Sequence, residues 1–261
     1  MLFTALTVAG SDPSGGAGIQ ADLNTFAALG VYGMSVIVAL TAQNTTGVSA
    51  VMDISCEFVI RQWDAVVSDI PPGAVKTGML GNEGNVRTAA MMVEKYQIRN
   101  YVLDPVMVST SGAALLAADA IETLKRELVP RALVVTPNMG EAAMLSGGDV
   151  YDKSTMEVAA RRIRGLGAAF VLVKGGHLEG DALDILFDGS EFHYYRAARI
   201  GSAEIHGTGC VLSAAITAYL SKGNSVYEAV RLAKDFVTEA IRNSHRVGKG
   251  ALPCNASGLK F

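Results

Sequence analysis

Leu6-Thr-Val-Ala-Gly-Ser-Asp-Pro-Ser-Gly-Gly-Ala-Gly-Ile-Gln-Ala-Asp22 is the stretch on which the fold turns. The apolar run from Leu2 to Ala9 predicts a buried strand, Gly10 to Gly18 is rich in turn residues, and Ile19, Leu23, Phe26 and Ala27 then recur at helical spacing. This is a strand, loop, helix unit, and the rhythm continues along the chain. Val36–Leu40 reads as a second strand, and Val59, Trp63, Val66, Val67 and Ile70 mark one face of the next helix. Strands are expected at 74–77, 101–103, 133–136 and 170–174, alternating with helices near 86–96, 121–128 and 158–166.

Parallel neighbours need crossover connections, so this alternation predicts an α/β fold: a three-layer α/β/α sandwich with a mostly parallel central sheet. Beyond Lys174 the segments shorten, and 184–188, 192–196 and 198–200 read as antiparallel edge strands. Two long helices, about 208–220 and 226–244, close the chain. With neither a linker nor an internal repeat, residues 1–261 are expected to form a single domain.

Half of the residues are hydrophobic and 18% are charged, as suits a sheet covered on both faces. A formal net charge of −3 gives no broad positive field, which argues against nucleic acid or an anionic membrane as a partner. No run approaches the roughly 18 apolar residues of a membrane span, and the first basic residue is Arg61, so a cytoplasmic location is expected. Three scattered cysteines and four histidines without ligand spacing make a His/Cys metal centre improbable.

Ligands of parallel sheets gather at the carboxyl ends of the strands, so the candidate residues are sought there. Gly16, Gly18 and Ala21 match the GxGxxA form of a dinucleotide fingerprint, but the second strand ends in Thr41-Ala-Gln-Asn44 without the acid that a ribose requires. A plain turn is the competing reading. Gln43, taken to lie just past that strand, carries a donor and an acceptor suited to a heteroaromatic edge, or serves as a loop-capping amide. Met79 and Val106 either wall a flat apolar pocket or pack in the core.

Asn138 and Glu141, one helical turn apart, suit either Mg²⁺ near phosphates or a helix N-cap pair. Lys174 ends a strand and suits a nucleotide phosphate, or is a surface lysine. In His206-Gly-Thr-Gly-Cys210 the glycines open a helix, where backbone N–H groups converge on an anion. Cys210 would sit in the first helical turn, where its thiol is expected to ionise more readily than a free thiol, or it is a small buried hydrophobe. No GxxxxGK[ST] motif occurs, so any ATP is bound without a P-loop.

These segments, together with Val31-Tyr-Gly-Met-Ser35, Lys76-Thr-Gly-Met-Leu80, Asp104-Pro-Val-Met107, Thr136-Pro-Asn138 and Val173-Lys-Gly-Gly-His177, resemble in order and spacing the hydroxymethylpyrimidine/phosphomethylpyrimidine kinases of the ribokinase-like superfamily, from the first strand to about Ala215. The resemblance implies two ATP-dependent phosphorylations in one site, of 4-amino-5-hydroxymethyl-2-methylpyrimidine and then of its monophosphate, supplying thiamine biosynthesis. It implies that Gln43 reads the aminopyrimidine edge, with Gly10, Asp12, Met79 and Val106 around the substrate. Asn138, Lys174 and Thr208 would serve ATP, and Glu141 would hold Mg²⁺ with Asp104 ordering it through water. Gly207, Thr208, Gly209 and Cys210 would form the anion hole, with Cys210 as base or orienter.

A homodimer is implied as well. Ile200-Gly-Ser-Ala-Glu-Ile205 and Val247-Gly-Lys-Gly-Ala251 depart from the family pattern, the second standing in place of a Gly-His-Gly-Pro type segment. The competing functions are a pyridoxal kinase of the same fold and a non-catalytic pyrimidine-binding module.

Overall fold

The computed structural model describes residues 2–108, 112, 115–176, 180–201 and 205–257. His177 and the middle of the 200–205 stretch lie outside them. The first unit is β1 (Thr4–Ser11), α1 (Gly18–Ala28) and β2 (Tyr32–Asn44), and an edge strand, β3 (Gly47–Asp53), folds back on β2. Then follow α2 (Cys56–Val67), β4 (Ala74–Thr77), α3 (Glu83–Lys95), β5 (Tyr101–Leu103), α4 (Ala118–Thr123), β6 (Val134–Val135), α5 (Met139–Ser146), α6 (Lys153–Gly165) and β7 (Phe170–Gly175). The chain ends with β8 (Ala182–Phe187), β9 (Phe192–Ala197), β10 (Ile205–His206), α7 (Thr208–Ser221), α8 (Val226–Arg242) and β11 (Leu252–Pro253).

Nine strands form one sheet in the order β3-β2-β1-β4-β5-β6-β7-β8-β9, parallel from β2 to β7 and antiparallel at both edges. Alternation along the strands divides the core. On β5, Tyr101 and Leu103 join Trp63, Val86, Met92 and Ile163 on one face, while Val102 joins Val211, Ile216 and Ala233 on the other. Every one of these side chains is buried, which gives the three layers.

Four local expectations need correction. Residues 47–53 form a strand that periodicity did not reveal, because its last five residues face solvent and carry no apolar alternation. Residues 198–200 are not a strand, since β9 and its pairing with β8 stop at Ala197. Helix α5 was read only as a possible N-cap at Asn138 and Glu141, because it is just eight residues long. The expected helix at 121–128 is α4 followed by a π-helical turn over Leu124–Leu128.

Candidate active site

The carboxyl ends of the parallel strands open into one cavity of about 830 Å³. Gly10, Asp12, Gln43, Met79, Asp104, Val106, Asn138, Glu141, Lys174, Gly207, Thr208, Gly209 and Cys210 all line it, so the structure brings every sequence-selected residue to one place. Local folding explains how. β1 slips register against β2 between Ala9 and Gly10, and Gly10 N–H donates to the Met79 carbonyl at 3.1 Å. A Cβ on Gly10 would lie 2.8 Å from Met79 Sδ, so only glycine lets that sulfur close the wall. β2 runs through to Asn44, which places Gln43 on a strand end and not in a loop beyond it.

On the same cavity, Gly207 begins α7 with φ of +83° and no capping side chain. A Cβ there would occupy the position of the Gly16 carbonyl, so the tight approach of two loops requires glycine. Helices α2, α3, α5, α6 and α8 each begin with a side chain that accepts a first-turn N–H. α1, α4 and α7 have none. In α7 the first-turn residues Thr208, Gly209 and Cys210 line the cavity, with the positive end of the helix dipole behind them. Lys174 Nζ is 3.1 Å from the point where a Cβ on Gly209 would be, so a cation stands beside this helix start. Two positive ends so close together favour an anion between them.

The charges form a layered network. Lys174 pairs with Asp104 at 2.9 Å, and Asp104 also accepts from Thr136 Oγ1 at 3.1 Å and Ser213 Oγ at 2.9 Å. Burial pushes the Asp104 carboxyl up, but Lys174 and Lys76 outweigh it and leave it below the usual range. Beneath lies Lys76, fully buried and held by both oxygens of Asp22 at 2.7 and 2.8 Å, with Thr7 donating to the same carboxylate. Asn138 and Glu141 form a reciprocal capping box at the start of α5, so the N-cap reading holds as structure while both still face the cavity. Burial raises the Glu141 carboxyl to about 7 despite Lys174 nearby.

Of the two readings of Cys210, the readily ionised thiol is overturned and the buried one is favoured. The residue keeps a partly exposed surface on the cavity, but the protein packed around the thiol withholds water and pushes its pKa up to about 11. Lys76 and an N–H from Gly18 pull the other way and lose.

Sequence reasoning missed other cavity residues. Lys76 was quoted only as a neighbour of Met79, and Asp184 and Lys234, a buried pair at 2.7 Å, lie on β8 and α8, outside any motif. Both pairs line the cavity through at least one member. His206 was read as part of a glycine turn, although its ring lies 3.3 Å from Gln43 and 3.4 Å from Asp12. Its position before Gly207 was the only available signal. The divergent C-terminal segment is bound to the site region: Gly250 and Ala251 donate to Thr45, and Cys254 N–H donates to the His206 carbonyl.

A sequence model of phosphomethylpyrimidine kinases matches residues 12–255. The chain belongs to the phosphomethylpyrimidine kinase family. A hydroxymethylpyrimidine/phosphomethylpyrimidine kinase of Rhizobium meliloti is 51% identical over 257 residues, covering 97% of this chain and 96% of that protein. The thiamine biosynthesis bifunctional protein ThiED of Geobacter sulfurreducens is 50% identical over 97% of this chain, which spans about half (52%) of that longer protein. In three dimensions, an ADP complex of Bacillus subtilis pyridoxal kinase matches with a TM-score of 0.91 at 37% identity, covering 98% of both chains.

Proposed function

We propose that this chain is an ATP-dependent kinase of 4-amino-5-hydroxymethyl-2-methylpyrimidine and of its monophosphate, acting as one domain over residues 1–261. The observation that carries the reading is the shared cavity. It is lined by the Gln43 amide with Met79 and Val106, and also by the uncapped start of α7 beside Lys174. A flat heterocycle with an adjacent donor and acceptor suits the first, and a nucleotide phosphate suits the second.

Phosphoryl transfer is mostly positioning and charge stabilisation. The N–H groups of Thr208, Gly209 and Cys210 would hold the transferring group, and Lys174 would neutralise its oxygens. A thiol raised to about 11 is a poor base at neutral pH, so Cys210 is assigned an orienting role. The acceptor hydroxyl would lose its proton late, as a loose transition state permits.

The donor set fits Mg²⁺. Glu141 is a buried carboxylate whose raised proton affinity marks charge that its surroundings leave uncompensated, and a hard divalent cation favours such an oxygen. Asp104 has both oxygens engaged by Lys174, Thr136 and Ser213, so it would act through water. When bound, Mg²⁺ would supply charge neutralisation between nucleotide phosphates.

No helix among the described residues is long and apolar enough to cross a membrane, which supports the proposed cytoplasmic location. A homodimer is supported by exposed Leu40, Val51, Met52 and Phe58 on and beside the β2–β3 edge. Light scattering should give twice the chain mass, falling to one with Val51→Asp; a wild-type monomer would refute it.

The test of function is ADP release in a coupled assay with hydroxymethylpyrimidine, its monophosphate and pyridoxal as alternative acceptors. Turnover with both pyrimidines is expected. Turnover with pyridoxal alone would transfer the chain to the pyridoxal kinase reading, and ADP release with none of them would leave a binding module.

A further inference from the structure

Gln43 is one link in a chain of polar contacts whose proton count settles which way its amide faces. Thr41 Oγ1 lies 2.9 Å from the Ser11 carbonyl and 3.3 Å from Gln43 Oε1, so a hydroxyl with one proton confronts two acceptors. On the other side, His206 Nε2 lies 3.3 Å from Gln43 Nε2 and 3.4 Å from Asp12 Oδ2. The same ring nitrogen would have to accept from an amide and donate to a carboxylate. It cannot do both.

Asp12 will not yield. It is buried and takes Ser14 N–H and Oγ–H at Oδ1, at 2.9 and 2.7 Å, and Ala17 N–H at Oδ2, at 2.9 Å. A carboxylate receiving three donors stays ionised and demands a proton from its neighbour. His206 Nε2 therefore carries one.

Exchanging the oxygen and nitrogen of the Gln43 amide removes the donor-against-donor contact at His206 and the second acceptor at Thr41, and the two are nearly indistinguishable by shape. Thr41 then donates its one proton to Ser11, and its lone pair accepts from the Gln43 NH₂. His206 Nε2–H is then shared between the Asp12 carboxylate and the Gln43 oxygen as a three-centre bond. We propose that His206 is a positioning residue that fixes the Gln43 amide with its oxygen toward His206 and its NH₂ toward Thr41, so that the cavity sees one N–H and one lone pair in a set order. A heterocycle with a ring nitrogen next to an exocyclic amino group fits that order one way only. Its ring nitrogen lies toward Thr41, and its amino group toward His206. A rotated or mirrored ring would set donor against donor, which costs a site more than a missing contact does.

The proposal rests on the pyrimidine reading for the ligand, but the amide order is a property of the protein alone, and two experiments keep them apart. In protein labelled with ¹⁵N-histidine and free of ligand, the His206 resonances, assigned by their loss in His206→Gln, should show Nε2 protonated. A bare Nε2 with the proton on Nδ1 would overturn the proposal whatever the substrate is.

The second experiment is steady-state kinetics with 4-amino-5-hydroxymethyl-2-methylpyrimidine. His206→Leu should raise its KM about tenfold or more, with the KM for ATP changed by less than about twofold. His206→Gln, whose amide can donate from nearly the same place, should recover to within about threefold. In a Gln43→Ala background, His206→Leu should add nothing further. Full additivity of the two substitutions, or a loss of kcat without a change in pyrimidine KM, would overturn the proposal. Wild-type protein that does not turn over the pyrimidine would refute the function instead, and the nitrogen resonances would still decide the amide order.

Discussion

Replacing Cys210 with alanine should leave a working kinase, whereas replacing Gly209 with proline should not. The thiol is pushed to about 11 by burial, so at pH 7.5 only roughly three in ten thousand molecules carry a thiolate, against about one in ten for a thiol of ordinary acidity. Little catalysis can come from so small a fraction, and Cys210→Ala should keep kcat within about tenfold of wild type. Gly209 contributes an N–H in the first turn of α7, where helices offer donors without intrahelical partners. Proline there removes that donor while remaining compatible with the first turn, so the helix persists, and its ring also crowds Lys174 Nζ, 3.1 Å from the Cβ position, which adds to the loss. Losing one preorganised donor to a transferring group typically costs roughly 10²–10³-fold in kcat, which is the expected fall for Gly209→Pro.

The assay is kcat of both variants between pH 6.5 and 9.5, after circular dichroism shows native helix content. Iodoacetamide labelling of wild-type Cys210, followed by peptide mass spectrometry, reports the thiol directly. Its rate should climb about tenfold per pH unit up to pH 10 with no plateau. A folded Gly209→Pro enzyme at near wild-type rate beside an inactive Cys210→Ala enzyme would refute the reasoning. So would a labelling plateau below pH 8.5.

Two further outcomes follow from the buried charges. Glu141 has its folded-state pKa raised to about 7, so the folded chain binds the extra proton and loses stability as pH rises from about 4.5 through 7. Glu141→Gln cannot titrate, and its Tm relative to wild type should improve across that window; parallel Tm curves would contradict the assignment. Lys76→Met leaves Asp22 buried without its partner and should cost about 3–5 kcal/mol in urea unfolding, while adding Asp22→Leu should restore much of the loss. A double variant no more stable than the single one would show that the pair is not the source.

What was legible in the sequence follows from the physics of each segment. β1, β4, β5, β6 and β7 are buried on both faces, so their apolar runs stand out between glycine-rich turns, and the motifs at their carboxyl ends were thereby brought to one cavity. β3 was hidden because its last five residues are exposed on both faces, which leaves no alternation of apolar and polar residues to read. The Cys210 thiol was misjudged because the lowering expected at a helix start is outweighed by burial, and burial is a property of the whole fold. His206 and Lys76 escaped for a related reason. Their roles depend on partners far away in the chain, Asp12 and Gln43 for one and Asp22 for the other, and spacing alone carries no trace of such pairs.

The most direct test of the central claim is mass spectrometry of the reaction of wild-type protein with ATP, Mg²⁺ and 4-amino-5-hydroxymethyl-2-methylpyrimidine. The proposed function predicts the monophosphate first and the pyrophosphate after it, each formed with one equivalent of ADP. ATP bound with no phosphorylated pyrimidine, or pyridoxal phosphate as the sole product when both acceptors are offered, would contradict it.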